Sequence, residues 1–252
     1  MTGRIVALAR YPIKGMSAEP LDSVTLQPGE GFPGDRQWGF ARPESGFDPY
    51  DPKPLPKDKF VVLLKEAGLA AIEARLDKQA LFLTHAGSTQ TFDLSHREGR
   101  DGAAQFLEST LKLDKTPSLV RSDPHRFTDV SVVSPELMNA VSILSRDSVG
   151  AFSKDIGQPI NEKRFRMNIE VEGWTPWVEL NHVGRDIRIG TVRLKVLLRT
   201  RRCAATEVNP ETAERDLPLP SLLRKTYAHF DMGVYAEVVE GGTIKLGDTI
   251  SI

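Results

Sequence analysis

The sequence holds a single cysteine, Cys203, so no intramolecular disulfide framework can brace the fold. A lone thiol suits a reducing compartment, and the chain is expected to be cytoplasmic. No stretch approaches the roughly 20 apolar residues of a membrane span. The opening "MTGRIVALARYPIKG" is broken by Arg4 and Arg10 and lacks the long apolar core of a secretory leader. Charge of one sign is also missing, since 33 basic residues meet 34 acidic ones. General binding to nucleic acid or to an anionic membrane surface is therefore not expected. Nucleotide motifs are absent: there is no Walker loop, and "GEGFPG" has neither the spacing nor the context of a dinucleotide fingerprint. The five histidines are scattered, so no closed zinc site is legible.

What is present is an ordinary globular composition, 40% hydrophobic and 27% charged, over 252 residues. Short apolar runs separated by Gly and Pro dominate. Strands are expected at 4–10, 23–26 and 37–41, and at 81–84 and 89–94 around an Ala-Gly-Ser turn. The proline-studded "FDPYDPKPLPKDK" reads as a mobile surface loop. Residues 59–67 suit a short helix, and 69–76 either continue it or begin a hairpin. "GRDGAAQFLESTLK" has one apolar face and predicts a helix. "SPELMNAVSILSRDSVGAFSKDIG" predicts a helix-rich segment opened by Ser134-Pro135.

"RFRMNIEVEG" reads as a strand with Arg166 and Asn168 on one side. Alternation of Val192, Leu194, Val196 and Leu198 with charged residues predicts a half-buried strand leading to the cysteine. A short helix is expected after the prolines at 218 and 220, then a C-terminal hairpin turning at Gly241-Gly242. The expectation is a β-rich α+β barrel or pair of barrels.

Two arginines, Arg201 and Arg202, precede Cys203 directly. Cations beside a thiol favour its thiolate, the form that ligates metals. The plainer reading is a small buried hydrophobe. A Cys–His pair with His182 or His229 is a further alternative. Lys14 in "YPIKG", Arg36 in "GDRQW", and Arg166 with Asn168 in "RFRMN" stand near strand ends. Each alone reads as surface; converging, they would hold an anionic, phosphorylated ligand.

The segments "YPIKG", "GDRQW", "FTDVS", "RFRMNI", "IGTVRL", "RRCAATEVNP" and "MGVYAEVVEGGTIKLGD" resemble, in order, those of MOSC-domain proteins, the family of the molybdenum cofactor sulfurase C-terminal domain. The subgroup is similar to the amidoxime-reducing components. The resemblance implies a MOSC β-barrel with flanking short helices at 121–252, preceded by a smaller β-barrel-like domain at 1–120. It implies Mo-molybdopterin as cofactor, with Cys203 the protein's molybdenum ligand and catalytic residue. Lys14, Arg36, Arg166, Asn168, Arg202 and Tyr235 match cofactor-binding positions; a pyridoxal phosphate label also travels with the family.

The implied activity is reduction of small N-hydroxylated substrates, with electrons from a separate flavin or iron–sulfur reductase. A non-catalytic cofactor carrier or sulfur-transfer protein, and a binding module with an inert cysteine, are the alternatives. The chain departs from the family where "NPETAE" replaces a "DPxTG" pattern and at His182.

Overall fold

The computed structural model describes residues 1–252. The N-terminal strand β1 (Thr2–Arg10) is followed by β2 (Glu19–Pro20), β3 (Ser23–Leu26) and β4 (Gly39–Ala41). A meander β5 (Glu73–Asp77), β6 (Ala80–His85), β7 (Ser88–Asp93) leads into α1 (Arg97–Leu111) and β8 (Ser118–Val120). Then come β9 (Val141–Ser145), α2 (Arg146–Ile156), β10 (Ile169–Glu172), β11 (Asp186–Ile189) and β12 (Val192–Arg201). The chain ends with α3 (Leu219–Tyr227), β13 (Asp231–Glu240), β14 (Gly242–Lys245) and β15 (Thr249–Ser251). No helix is long and apolar enough to cross a membrane.

Seven strands close a barrel in the order β10-β9-β13-β12-β11-β15-β1, with β1 returning to β10. Closure removes the unpaired edges of an open sheet. Inward-facing Ile5, Ile143, Ile169, Val171, Leu194, Val196 and Val234 fill the barrel. The first strand thus belongs to the same barrel as strands from the second half of the chain, pairing antiparallel with β10. A second apolar core lies between the β5–β7 sheet, α1 and the segment carrying Ile13, Met16 and Trp38. A third joins α2 and α3 to Phe165, Met167 and Met232. The β-rich α+β architecture agrees with the sequence reading.

Four local expectations are corrected. Within the predicted helical segment, Val141–Ser145 is a strand, because all five side chains are buried in the barrel wall. Phe165 ends a 3-10 turn, and the strand starts only at Ile169, so Arg166 and Asn168 are not alternate positions of one strand. Arg166 instead has φ 55°, a left-handed conformation unusual for a side-chain-bearing residue. Lys59–Ala67 forms no α-helix, only flanking 3-10 turns; β5 follows, so the hairpin alternative is the correct one. Finally, β14 does not fold back on β13. It pairs with β3, from Gly242↔Leu26 to Lys245↔Ser23, where Ile244 reaches the barrel core.

Glu179 is stranded in this architecture. It is fully buried in a 3-10 turn, Ser148 Oγ donates to its Oε2 at 3.0 Å, and its Oε1 has no partner. Burial pushes its carboxyl up to about 7, from an ordinary 4.5. The folded chain therefore keeps a proton that the unfolded chain releases first. Stability contributed by this group is present below about pH 4.5 and is lost as pH rises to about 7, a swing of about 3 kcal/mol. Chemical denaturation at pH 5 and pH 8 should show this fall in the wild type and a flatter profile in Glu179→Gln. An identical fall in both would assign the pH dependence elsewhere.

Candidate active site

One cleft at the barrel rim gathers the seven residues that the resemblance assigned to the cofactor: Lys14, Arg36, Arg166, Asn168, Arg202, Cys203 and Tyr235 all line it. Lys14 follows β1, and Arg36 sits in the turn before β4. Arg166 and Asn168 precede β10, and Tyr235 lies on β13. Cys203 follows β12, whose register shifts at Val196/Leu198 and again at Arg199/Arg201. Such bulges bend a strand and re-aim its end. Thr200 and Arg202 are buried here, while the Cys203 side chain is half-buried in the cleft.

The cysteine's charged neighbour is not the one its sequence suggests. Arg202 makes no hydrogen bond to the sulfur: its guanidinium donates to Met232 O, to Phe165 O at 2.9 Å and to Met167 Sδ at 3.0 Å. It braces the turn before β10 against the start of β13, and burial lowers its pKa to about 10. Arg201 lies over the Phe230 ring. The cation on the sulfur is Lys57, from the proline-studded loop, whose Nζ donates to Cys203 Sγ at 3.1 Å. Sequence reasoning missed Lys57 because it stands 146 residues from the cysteine. Neither His182 nor His229 pairs with Cys203; their ring nitrogens bond Val178 O and Asp231 N.

Asp129, in the "FTDVS" stretch, connects the cluster. Its carboxylate accepts from Lys14 and, at 3.4 Å, from Lys57. Burial pushes this carboxyl up, but the two ammonium groups outweigh it and hold it well below the usual range. Lys14 is buried, donates also to Phe127 O at 2.9 Å, and is pulled below its ordinary value chiefly by burial. Gly15 has φ 86° and turns the chain immediately after it, against the backbone of Val61 and Val62.

On the facing wall, Tyr11 is packed beneath both Arg36 and Arg166, with guanidinium carbons 4.8 and 4.4 Å from its ring centroid. Both arginines have positive φ, 49° and 55°. Strained backbone of this kind collects where a site must be held in one geometry. Arg36 is paired with Asp35 and donates to Arg166 O at 3.0 Å. Arg166 makes no side-chain hydrogen bond or ion pair in the protein, and burial lowers its pKa to about 10. Thr200 Oγ1, also on the cleft, is buried without a partner.

Asn168 does a different job. Its Oδ1 accepts from Ser142 N and Oγ, and its Nδ2 donates to Ala9 O at 3.1 Å, so it ties three barrel strands together beneath the cleft. Tyr235 presents a hydroxyl with no protein partner, and burial raises its pKa.

Seven cationic side chains, Lys14, Arg36, Lys57, Arg164, Arg166, Arg201 and Arg202, line the cleft against the single carboxylate of Asp129. An unpaired guanidinium, an orphaned hydroxyl and a soft sulfur in such a field are donors for a polyanionic group that carries its own metal. The residues present fit a phosphorylated metal cofactor. No group of three His, Cys, Asp or Glu is positioned to hold a metal ion by itself.

Comparison with known proteins places the chain. Residues 123–251 match the MOSC domain and residues 2–123 match the MOSC N-terminal beta barrel domain. The chain belongs to the MOSC family, whose domains are associated with molybdenum cofactor binding. It is similar to mitochondrial amidoxime reducing component 2 of Bos taurus, at 24% identity over 98% of this chain and 82% of the relative. Similarity to mitochondrial amidoxime-reducing component 1 of Homo sapiens is 23% over the same shares. Among solved structures, the YUAD protein from Bacillus subtilis aligns over 99% of this chain and 94% of that one, with a TM-score of 0.49 and 14% identity.

The Tyr11 clamp generates a ligand-level test. Pyrophosphate, added at constant ionic strength and about 100-fold above its dissociation constant, should raise the thermal midpoint by roughly 5 °C. Arg166→Ala and Tyr11→Leu should lose most of that rise, while Tyr11→Phe keeps the aromatic platform and the response. Equal shifts in all four proteins would mean that the arginines do not form an anion site.

Proposed function

We propose that this protein is a molybdenum-cofactor oxidoreductase that reduces small N-hydroxylated compounds, with electrons delivered by a separate redox protein. The observation that carries the proposal is the half-buried Cys203 sulfur at the rim of a cleft whose charge is overwhelmingly positive and whose Arg166 lacks a partner. One thiol cannot complete a metal's coordination alone, so the remaining ligands must come with the cofactor. In this reading residues 1–120 and 121–252 are the two family units, and both supply walls of the site.

Cys203 is the protein's molybdenum ligand. Arg166 and Arg36, fixed on Tyr11, bind the cofactor's phosphate, and Lys14 and Tyr235 bind its ring system. Asn168 and Arg202 hold those residues in place from beneath. Bound there, the cofactor supplies two-electron removal of an oxygen atom. In the net reaction the substrate N–O bond breaks, and the oxygen leaves as water with two protons and two electrons. Lys57 keeps a charged ammonium beside the sulfur: burial lowers its pKa, but Asp129 and Cys203 outweigh burial and raise it. Val62 and Leu63, from the N-terminal part, add apolar lining to the cleft. The single free thiol suits work in the reducing cytoplasm.

Cys203→Ser should fold normally, with an unchanged circular dichroism spectrum, but retain little molybdenum and lose N-hydroxyl reduction, because a hydroxyl is a harder and less acidic donor. Wild-type turnover in the serine variant would remove the thiol from the site. Wild-type molybdenum content without turnover under dithionite-reduced methyl viologen would favour the carrier reading.

The purified chain should not oxidise NADH or NADPH unaided. One cysteine cannot hold an iron–sulfur cluster, and no strand is followed by a dinucleotide fingerprint. Substrate-dependent NADH oxidation by the isolated protein would contradict the need for a separate donor.

A further inference from the structure

Beside the cleft, the Phe230 ring lies between two guanidinium groups, those of Arg201 at 4.6 Å and Arg224 at 5.4 Å from its centroid. Both arginines are exposed, as is Lys225. None of the three has a carboxylate partner or a side-chain hydrogen bond. Arg146 and Arg193 each contact more than one carboxylate, whereas here two unpaired guanidinium groups share one aromatic ring and Lys225 is next in sequence. The three cations form a positive patch beside the cleft, on a chain whose net charge is −1.

We propose that Arg201, Phe230, Arg224 and Lys225 form the docking surface for an acidic electron-carrier protein. The inference rests on the oxidoreductase reading above. Place is the first argument. Phe230 O accepts the backbone N–H of Arg202, the residue before Cys203, at 2.8 Å, and Arg201 stands two residues before Cys203. Arg201 belongs to both the patch and the cleft lining. A protein seated here brings its redox group to the mouth of the cleft.

Rigidity is the second argument. Arg201 is in register with Asp231 on β13, and α3 is anchored by fully buried Leu219 and Leu223. An aromatic ring held between arginines is the composition of an interface anchor. Charge is the third. Transient electron-transfer complexes bury little area and depend on complementary fields for their rate of encounter. A molecule balanced overall, with a positive patch next to its cationic cleft, attracts a locally acidic protein and offers no extended field to nucleic acid.

The holoprotein is assayed for N-hydroxyl reduction with two donors: an acidic [2Fe–2S] ferredoxin kept reduced by NADPH and its reductase, and dithionite-reduced methyl viologen. Flavodoxin replaces ferredoxin in a parallel series. Arg224→Glu should raise the KM for at least one carrier protein roughly tenfold at low ionic strength, and Arg224→Glu with Lys225→Glu further. The difference should shrink in about 0.5 M salt. The viologen-driven rate and the substrate KM should stay within about twofold of wild type, as the patch serves encounter and not chemistry.

An unchanged carrier KM with normal viologen turnover overturns the docking surface alone. So does wild-type protein that turns over with viologen but with neither carrier. A raised substrate KM under viologen would reassign the patch to substrate recognition. Absence of viologen turnover in metal-loaded wild type overturns the oxidoreductase reading and the docking surface with it.

Discussion

Strand β1 meets β10 across the seam that closes the barrel, and the cleft residues hang from both sides of that seam. Tyr11 and Lys14 leave the end of β1, while Arg166 and Asn168 enter β10. Asn168 crosses the junction to Ala9 on β1 and on its other side is tied to Ser142 on β9. Arg166 therefore reaches the Tyr11 platform, which Arg36 already shares, only when the barrel is closed. The complete site therefore requires the closed barrel.

Closure comes at an electrostatic cost. Packing several cations round one small space sets like charges against each other and removes them from water. Lys14, Arg166 and Arg202 respond with depressed pKa values. The protein limits the cost by giving Arg202 backbone carbonyls, Arg36 the carboxylate of Asp35, and both lysines the carboxylate of Asp129. Arg166 is left without such relief, which makes it the group with most to gain from an arriving anion. Stability surrendered here is offset in the barrel interior, where Ile143, Ile169, Leu194 and Val234 are wholly removed from solvent.

The two flanking arginines of Cys203 illustrate how adjacency misleads. Successive residues in extended chain point to opposite sides. Arg202 runs into the protein, where it braces Phe165 and Met232, and Arg201 runs outward onto Phe230. The charge at the sulfur arrives from Lys57, in a loop whose sequence shows mainly prolines and polar residues. The seven residues matched through the resemblance of short segments line one pocket. The resemblance did not distinguish Arg166, free to bind, from Asn168 and Arg202, committed to the scaffold.

By itself the sequence determined what depends on composition and short-range pattern. Alternating apolar residues specified β11, β12 and β13, apolar periodicity specified α1, and the lone cysteine ruled out an intramolecular disulfide and any cluster bound by several thiols of this chain. Tertiary structure decided the rest. Val141–Ser145 became a strand because a parallel neighbour, β10, waited for it; β14 left its expected hairpin because β3 offered an edge. Lys57, Asp129 and Tyr11 became site residues through contacts across long stretches of chain, and such contacts leave no periodic trace in a single sequence.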